Sequence, residues 1–410
     1  ILSLKESILR DQFIMGSRTY SFTNKCAQTK KVYCTFIYRM KNTISIVFLI
    51  LFFGLISSCS DDKPSDEPFA LPPVGIKLDT LATGFVQPWG LEFVDDKVLI
   101  TEKSGILYAW DGTSLTKING LPTFVNLGQG GLLDVCKHPR FDSNRLIYFC
   151  GSTGTMSAAS TTLYRAKLNG SELTAVEKLF QAIPQNNSGA HFGSRIVFDA
   201  EEKVYLSLGD RGSMNTAQQL ENHNGCVIRL NDDGSVPSDN PFVNKAGAQP
   251  EIWTYGHRNV QGMAVHPVTG DIWTHEHGPR GGDEVNILEK GANYGWPLAS
   301  FGIDYNGDTI TTDTFVAGTV LPRYYWVPSI APCGMTFYAS DSIPQWKGNI
   351  FIGALAGKHV NRLVLNQNTV LEEERLLQNR ARFRAVKQGP DGYLYILSEQ
   401  PGMLMRFRPE

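Results

Sequence analysis

No Cys-x-x-Cys pair occurs among the seven cysteines, so the chain offers no support for a zinc site. No basic stripe runs along it and the formal net charge is −2, which sets nucleic acid aside as a partner. The apolar run near the N-terminus, residues 44–56, falls short of the roughly 20 residues that span a bilayer. Charged residues make up 19% and hydrophobic ones 42%, an ordinary balance for a globular chain. In contrast, the 39 glycines, 21 prolines and 11% aromatic residues are rich in turn and strand formers and predict an all-β fold. The length, 410 residues, suits one large domain or two small ones.

Met40-Lys41, the apolar run and the small residues Ser57-Ser58 make a secretory signal over residues 40–58. Cys59 directly after that small pair resembles the lipidation site of a bacterial lipobox. Residues 59–74, with Asp61, Asp62, Asp66 and Glu67, then read as an acidic tether without packing potential. An acidic stretch in this place resembles a surface-export signal, with periplasmic anchoring as the alternative. Residues 1–39 lie upstream of a complete signal, show no period, and read as a non-structural leader. Residues 1–58 carry eight basic and two acidic side chains, which leaves 30 against 38 and a net charge of −8 for residues 59–410. Cys26 and Cys34 fall in the leader. Cys136, Cys150, Cys226 and Cys333 stand singly in apolar contexts and read as buried free thiols, with a Cys136–Cys150 disulfide as the alternative.

From about residue 75 one pattern recurs six times: a short strand, a turn, a second apolar strand and a third. First strands are expected at 90–93, 131–135, 195–198, 262–265, 334–337 and 385–387. Second strands are expected at 98–101, 146–150, 204–208, 271–275, 349–353 and 394–398, and third strands at 106–110, 163–166, 227–230, 285–288, 359–365 and 404–407. A small antiparallel sheet cannot bury its own faces, so six copies predict radial closure into a six-bladed β-propeller over residues 75–410. Residues 76–81 supply the outer strand of the last blade. A β-sandwich of similar strands is the alternative.

In an antiparallel blade the start of the first strand and the end of the second lie at one end. That rim collects unusual polar residues. Gln129, His191, Arg258, Asn259, Trp326, Arg382 and Arg384 precede first strands, and Asp210, His277, Gly278, Pro279 and Lys358 follow second strands. Each has a plainer reading as a turn or solvated residue, but their convergence at one channel mouth marks a candidate site. Histidine suits proton removal near neutral pH, and a carboxylate beside it fixes its tautomer, which pairs His191 with Asp210. Three arginines suit a ligand with several carboxylates. Carbonyls near Gly278-Pro279 suit calcium. The residues alone reach a polyanionic cofactor, a base and a metal.

Taken in order, several motifs are similar to those of the glucose/sorbosone dehydrogenase family, the soluble aldose dehydrogenases that use pyrroloquinoline quinone. They are Gly128-Gln129-Gly130-Gly131-Leu132-Leu133, His191-Phe192-Gly193-Ser194-Arg195, Leu208-Gly209-Asp210, Gly256-His257-Arg258-Asn259, Glu276-His277-Gly278-Pro279, Asp283-Glu284-Val285-Asn286, Asn293-Tyr294-Gly295-Trp296-Pro297 and Arg382-Phe383-Arg384. The resemblance spans residues 75–409. It implies His191 as the base, Asp210 as its orienting partner, and Gln129, His191, Arg258, Asn259, Lys358, Arg382 and Arg384 as cofactor contacts. It implies calcium on the carbonyls of Gly278 and Pro279, a second calcium near Glu284 and Tyr294, and Trp326 beside the substrate. Lys358 is shifted from the family position, and Ala190 stands where some relatives have a carboxylate. The short connection between blades three and four implies an open cleft and broad aldose specificity. The expected partners are an aldose, an external electron acceptor and, through the lipid anchor alone, a membrane. The expected location is the periplasm or cell surface. The alternatives are a non-enzymatic carbohydrate- or protein-binding propeller and a metal-dependent lactonase-type hydrolase.

Overall fold

A computed structural model describes residues 74–410. The signal, Cys59 and nearly all of the tether lie outside the described residues. Six antiparallel sheets of four strands follow one another along the chain. Blade one runs Pro88–Val94, Lys97–Glu102, Ile106–Trp110 and Leu115–Ile118. Blade three runs Ile196–Phe198, Val204–Ser207, Val227–Leu230 and Ile252–Thr254. Successive first strands abut one another around a central channel, and the last, Arg382–Gln388, abuts the first, Pro88–Val94.

Closure uses both ends of the described chain. Ile76–Thr83 pairs with Gly402–Pro409 as the outer strand of blade six. Asp79 clamps this seam by accepting hydrogen bonds from Arg408 Nε at 2.6 Å and Arg406 Nη2 at 3.4 Å.

The apolar core lies between blades. Leu99, Val135 and Phe149 fill the gap from one to two, Trp273, Met335 and Ile352 that from four to five, and Phe93, Tyr395 and Leu397 that from six to one. Strands covered on both faces lose the alternation of a half-solvated sheet, and Pro88–Val94 is buried at every position. The first strand of five blades slips register against the second, and in blade four the slip falls between Val260 and Gly262. Such bulges bend the strand locally. Gly262 is required there, because a Cβ would stand 2.0 Å from His275 Nε2.

The expected strands are present, with shifted ends. Blade six begins its first strand at Arg382, so Arg382 and Arg384 lie within the strand instead of before it. Trp326 needs correction. It belongs to the outer strand of blade four, Tyr324–Trp326, opposite Asp283. There it is buried in the core between blades four and five, and its indole donates to Glu373. It is a packing residue, outside the lining of both channel cavities. Residues 255–259 join blades three and four, so that connection is short as expected. The long excursions lie inside blades, at 231–251 and 288–323.

Candidate active site

Two cavities open along the channel. The larger, about 400 Å³, is lined by Val135, Met263, Met335 and their neighbours and holds no histidine. The smaller, about 290 Å³, is the polar one and lies at the rim where the unusual residues were expected. Its wall includes Trp89, Lys103, Gln129, Gln261, Arg382, Arg384 and Glu399.

His191 is not part of this lining but adjoins it, preceding the lining residue Phe192 in the chain. Its backbone N–H donates to Gln129 Oε1 at 2.9 Å. The residue adopts φ of 51°, the left-handed turn between the preceding loop and the first strand of blade three. Nδ1 lies 2.6 Å from Asp210 Oδ1. A carboxylate only accepts, so this geometry places the proton on Nδ1 and the lone pair on Nε2. Among the described residues, Nε2 has no hydrogen-bond partner.

Asp210 is 1% exposed. Gly212 N–H donates to Oδ1 and the Trp296 indole donates to Oδ2, both at 2.8 Å. Burial pushes its carboxyl up, but His191 and these donors outweigh burial and hold it below the usual carboxylate range. Asp210 is therefore a fixed anion. Its own N–H donates to the Arg258 carbonyl, which ties blade three to blade four.

The cationic wall is built around one carboxylate. Glu399 accepts from Arg382 Nε at 3.0 Å and from Arg384 Nη2 at 2.9 Å. Burial alone would raise its carboxyl, but the two guanidiniums hold it low. Lys103 reaches the same cavity and donates to the Gly128 carbonyl at 2.7 Å. Burial, with help from Arg384, lowers its ammonium from the usual lysine range. Three cations face one anion, and Arg384 Nε is buried without a partner. Such a pocket fits a planar polyanion, and pyrroloquinoline quinone has that character.

The other expected residues divide. Gln129 lines the cavity. Asn259 is buried behind it, its Oδ1 accepting from Gly193 N–H and Gln261 Nε2. Arg258 turns toward blade four, where its Nη1 donates to the Gly278 carbonyl at 2.8 Å. Lys358 needs correction: it is exposed in a left-handed turn with φ of 53°, outside the cavity lining, and Leu355 faces the cavity from that loop. Lys103 takes the place expected for it. Lys103 and Glu399 were missed, although Lys103 directly follows a second strand and so obeys the rule that found Asp210.

A small polar recess beside Arg258 is lined by Glu276, Gly278, Pro279, Glu284 and Tyr294. Glu276 accepts from His257 Nδ1 and from the Arg258 N–H, one donor on each oxygen. Glu284 has only the Asn286 amide, 3.2 Å away, among the described residues. Burial first, and the charge of Glu276 second, push its carboxyl up to about 8. A half-buried carboxylate without a cation, next to main-chain carbonyls, fits an oxygen-seeking ion. The described residues group no three metal-ligating side chains, so carbonyls would have to complete the set. Tyr294 lines the recess, where its hydroxyl donates to the Ile287 carbonyl and accepts the Glu289 N–H.

The chain is similar to several known proteins. The aldose sugar dehydrogenase YliI of Escherichia coli is 42% identical over 348 residues, 82% of this chain and 94% of the relative. The crystal structure of the soluble aldose sugar dehydrogenase of Escherichia coli in the apo form superimposes with a TM-score of 0.80 at 41% identity, over 82% of this chain and all of that one. Quinoprotein glucose dehydrogenase B of Acinetobacter calcoaceticus is 26% identical over 78% of this chain and 82% of its own length. Residues 85–406 match the description of the Glucose / Sorbosone dehydrogenase family, and the chain belongs to that family.

Proposed function

We propose that this chain oxidises aldoses at the anomeric carbon to lactones, using pyrroloquinoline quinone and calcium, and passes the electrons to an external acceptor. The observation that carries this reading is the His191–Asp210 pair, 2.6 Å apart, at the edge of a cavity walled by Lys103, Arg382 and Arg384. The names of the relatives support it: two are aldose sugar or quinoprotein glucose dehydrogenases.

When bound, the quinone accepts the hydride from the sugar. Lys103, Arg382 and Arg384 hold its negative groups, and Gln129 fixes the loop of His191. The carbonyls of Gly278 and Pro279 would hold one calcium, and Glu284 would belong to a second. His191 Nε2 takes the proton of the anomeric hydroxyl as C1 gives up its hydride. Asp210 keeps the Nδ1 proton in place and stabilises the imidazolium that forms. We also propose, on the lipobox-like Ser57-Ser58-Cys59, a lipoprotein anchored at Cys59 in the periplasm or at the cell surface.

The test is dye reduction by residues 69–410 with calcium, the quinone and a panel of aldoses, beside His191→Ala. Quinone-dependent activity lost in the variant supports the reading. Binding without oxidation of any aldose refutes the substrate class. No binding refutes the cofactor and leaves a binding propeller as the better reading.

A further inference from the structure

Arg195 belongs to a motif of the sequence, yet the chemistry above gives it no task. It enters the channel from the start of blade three's first strand, and its guanidinium meets every other blade. Nη1 donates to Asp134 of blade two at 3.1 Å. Nε donates to the Gln261 carbonyl of blade four at 2.8 Å. Nη2 donates to the Arg384 carbonyl of blade six at 3.0 Å and lies 3.7 Å from the Cys333 sulfur of blade five. The guanidinium carbon stacks 3.9 Å from the centre of the Trp89 ring of blade one. Asp134 in turn accepts the Ile196 N–H, which locks the pair to the strand.

The position of this group matters as much as its bonds. Trp89, Gln261 and Arg384 line the upper, polar cavity, whereas Arg195 and Asp134 line the lower one. The pair is therefore the floor between the two. Its links to Arg384 are threefold: the carbonyl, the shared Trp89 ring, and Cys333, whose sulfur is 3.3 Å from Arg384 Nη1. A buried ion pair costs desolvation and adds little net stability on its own, but it fixes geometry.

We propose that Arg195 is the partition of the central channel: it seals the cofactor cavity from the lower cavity and is the positioning residue for Arg384. The second half rests on the function proposed above, whereas the first half does not.

The experiment compares the parent with Arg195→Met and Arg195→Lys. In the cofactor-free proteins, modification of Cys333 by a small methanethiosulfonate is followed by peptide mass spectrometry. Cys333 is fully buried, so it reacts slowly in the parent. Loss of the partition speeds it by about tenfold or more in R195M, because local opening then suffices for access. Quinone affinity, from quenching of tryptophan fluorescence, falls by about tenfold in R195M through the loss of Arg384 geometry, and R195K restores part of it. A folded R195M with parental Cys333 reactivity and parental quinone affinity overturns the proposal. If R195M does not fold, Thr336→Cys decides. Thr336 lines the lower cavity, so a maleimide attached there leaves quinone binding unchanged if the floor is sealed. Loss of binding on labelling overturns the partition. A parent that binds no quinone defeats the proposed function, while the Cys333 rates still decide the partition.

Discussion

Asp210→Asn changes one atom and tests the base directly. Three donors converge on the native carboxylate: His191 Nδ1–H and Gly212 N–H on Oδ1, and the Trp296 indole on Oδ2. An amide offers one oxygen and one NH₂. With its oxygen toward His191, the NH₂ confronts the indole N–H, a buried clash of donors worth about 1–3 kcal/mol. With its oxygen toward Trp296, the NH₂ faces His191 Nδ1, which must become an acceptor. The proton then moves to Nε2, and the base has no lone pair for the substrate. Either orientation also removes the anion that stabilises the imidazolium. Positioned general bases contribute roughly 10²–10⁴ in rate, so kcat should fall by about that range, equivalent to about 3–5 kcal/mol. Asp210 is not part of the cavity wall, so quinone affinity should change by less than about threefold, since a charge outside the contact surface is not lost from it. Steady-state dye reduction at saturating quinone and calcium, with a separate fluorescence titration of the quinone, reads both numbers. A kcat within about threefold of the parent, with the quinone bound, would refute the assignment of Asp210 as the group that governs His191.

Four further outcomes follow from the geometry. Lys103→Met should weaken quinone binding by about tenfold or more while Lys358→Met leaves it nearly unchanged, as only the former loses a desolvated charge in the cavity; equal effects in the same titration would undo the correction made at Lys358. Glu284→Gln should abolish the rise in thermal midpoint that calcium gives the parent over EDTA, a gain of about 2.7 kcal/mol at a hundredfold excess over Kd, and an undiminished rise would remove Glu284 from the metal set. His275 is fully buried and neutral, with burial lowering its imidazole to about 3 against an ordinary 6.5. The unfolded chain therefore binds the extra proton first, and stability should fall as pH drops below about 6.5, by up to about 1.4 kcal/mol per unit; urea midpoints for the parent and His275→Gln should converge toward acid pH, and parallel curves would contradict this. Gly262→Ala drives a methyl into the His275 ring and should cost more than the roughly 1–3 kcal/mol of ordinary overpacking, seen as a drop in the urea midpoint.

The propeller was legible because each blade repeats the same short-range rule. Apolar strands of three to seven residues broken by Pro, Asp and Gly need no long-range information, and the seam from Ile76–Thr83 to Gly402–Pro409 follows once closure is required. His191 and Asp210 were legible because strand direction alone puts both on one rim. What escaped depends on register. Trp326 looked like a residue approaching the channel, and only its pairing opposite Asp283 in an outer strand shows that it packs between blades. Glu399 lies just past the expected end of its second strand, and its pairing with two guanidiniums requires the bend that the bulge near Phe383 puts into the neighbouring strand. Lys103 sits in Glu102-Lys103-Ser104-Gly105, which reads as a polar turn until the fold directs the amine inward.

The base and the metal recess are not independent sites that happen to share a rim. Arg258 joins them through three separate bonds: its carbonyl accepts the Asp210 N–H, its N–H donates to Glu276, and its guanidinium donates to the Gly278 carbonyl. The same backbone stretch therefore sets where Asp210 holds His191 and where the Gly278 loop presents its oxygens. Trp296 adds a second brace, since its indole holds Asp210 while its ring lies 5.3 Å from the Arg258 guanidinium and lines the recess.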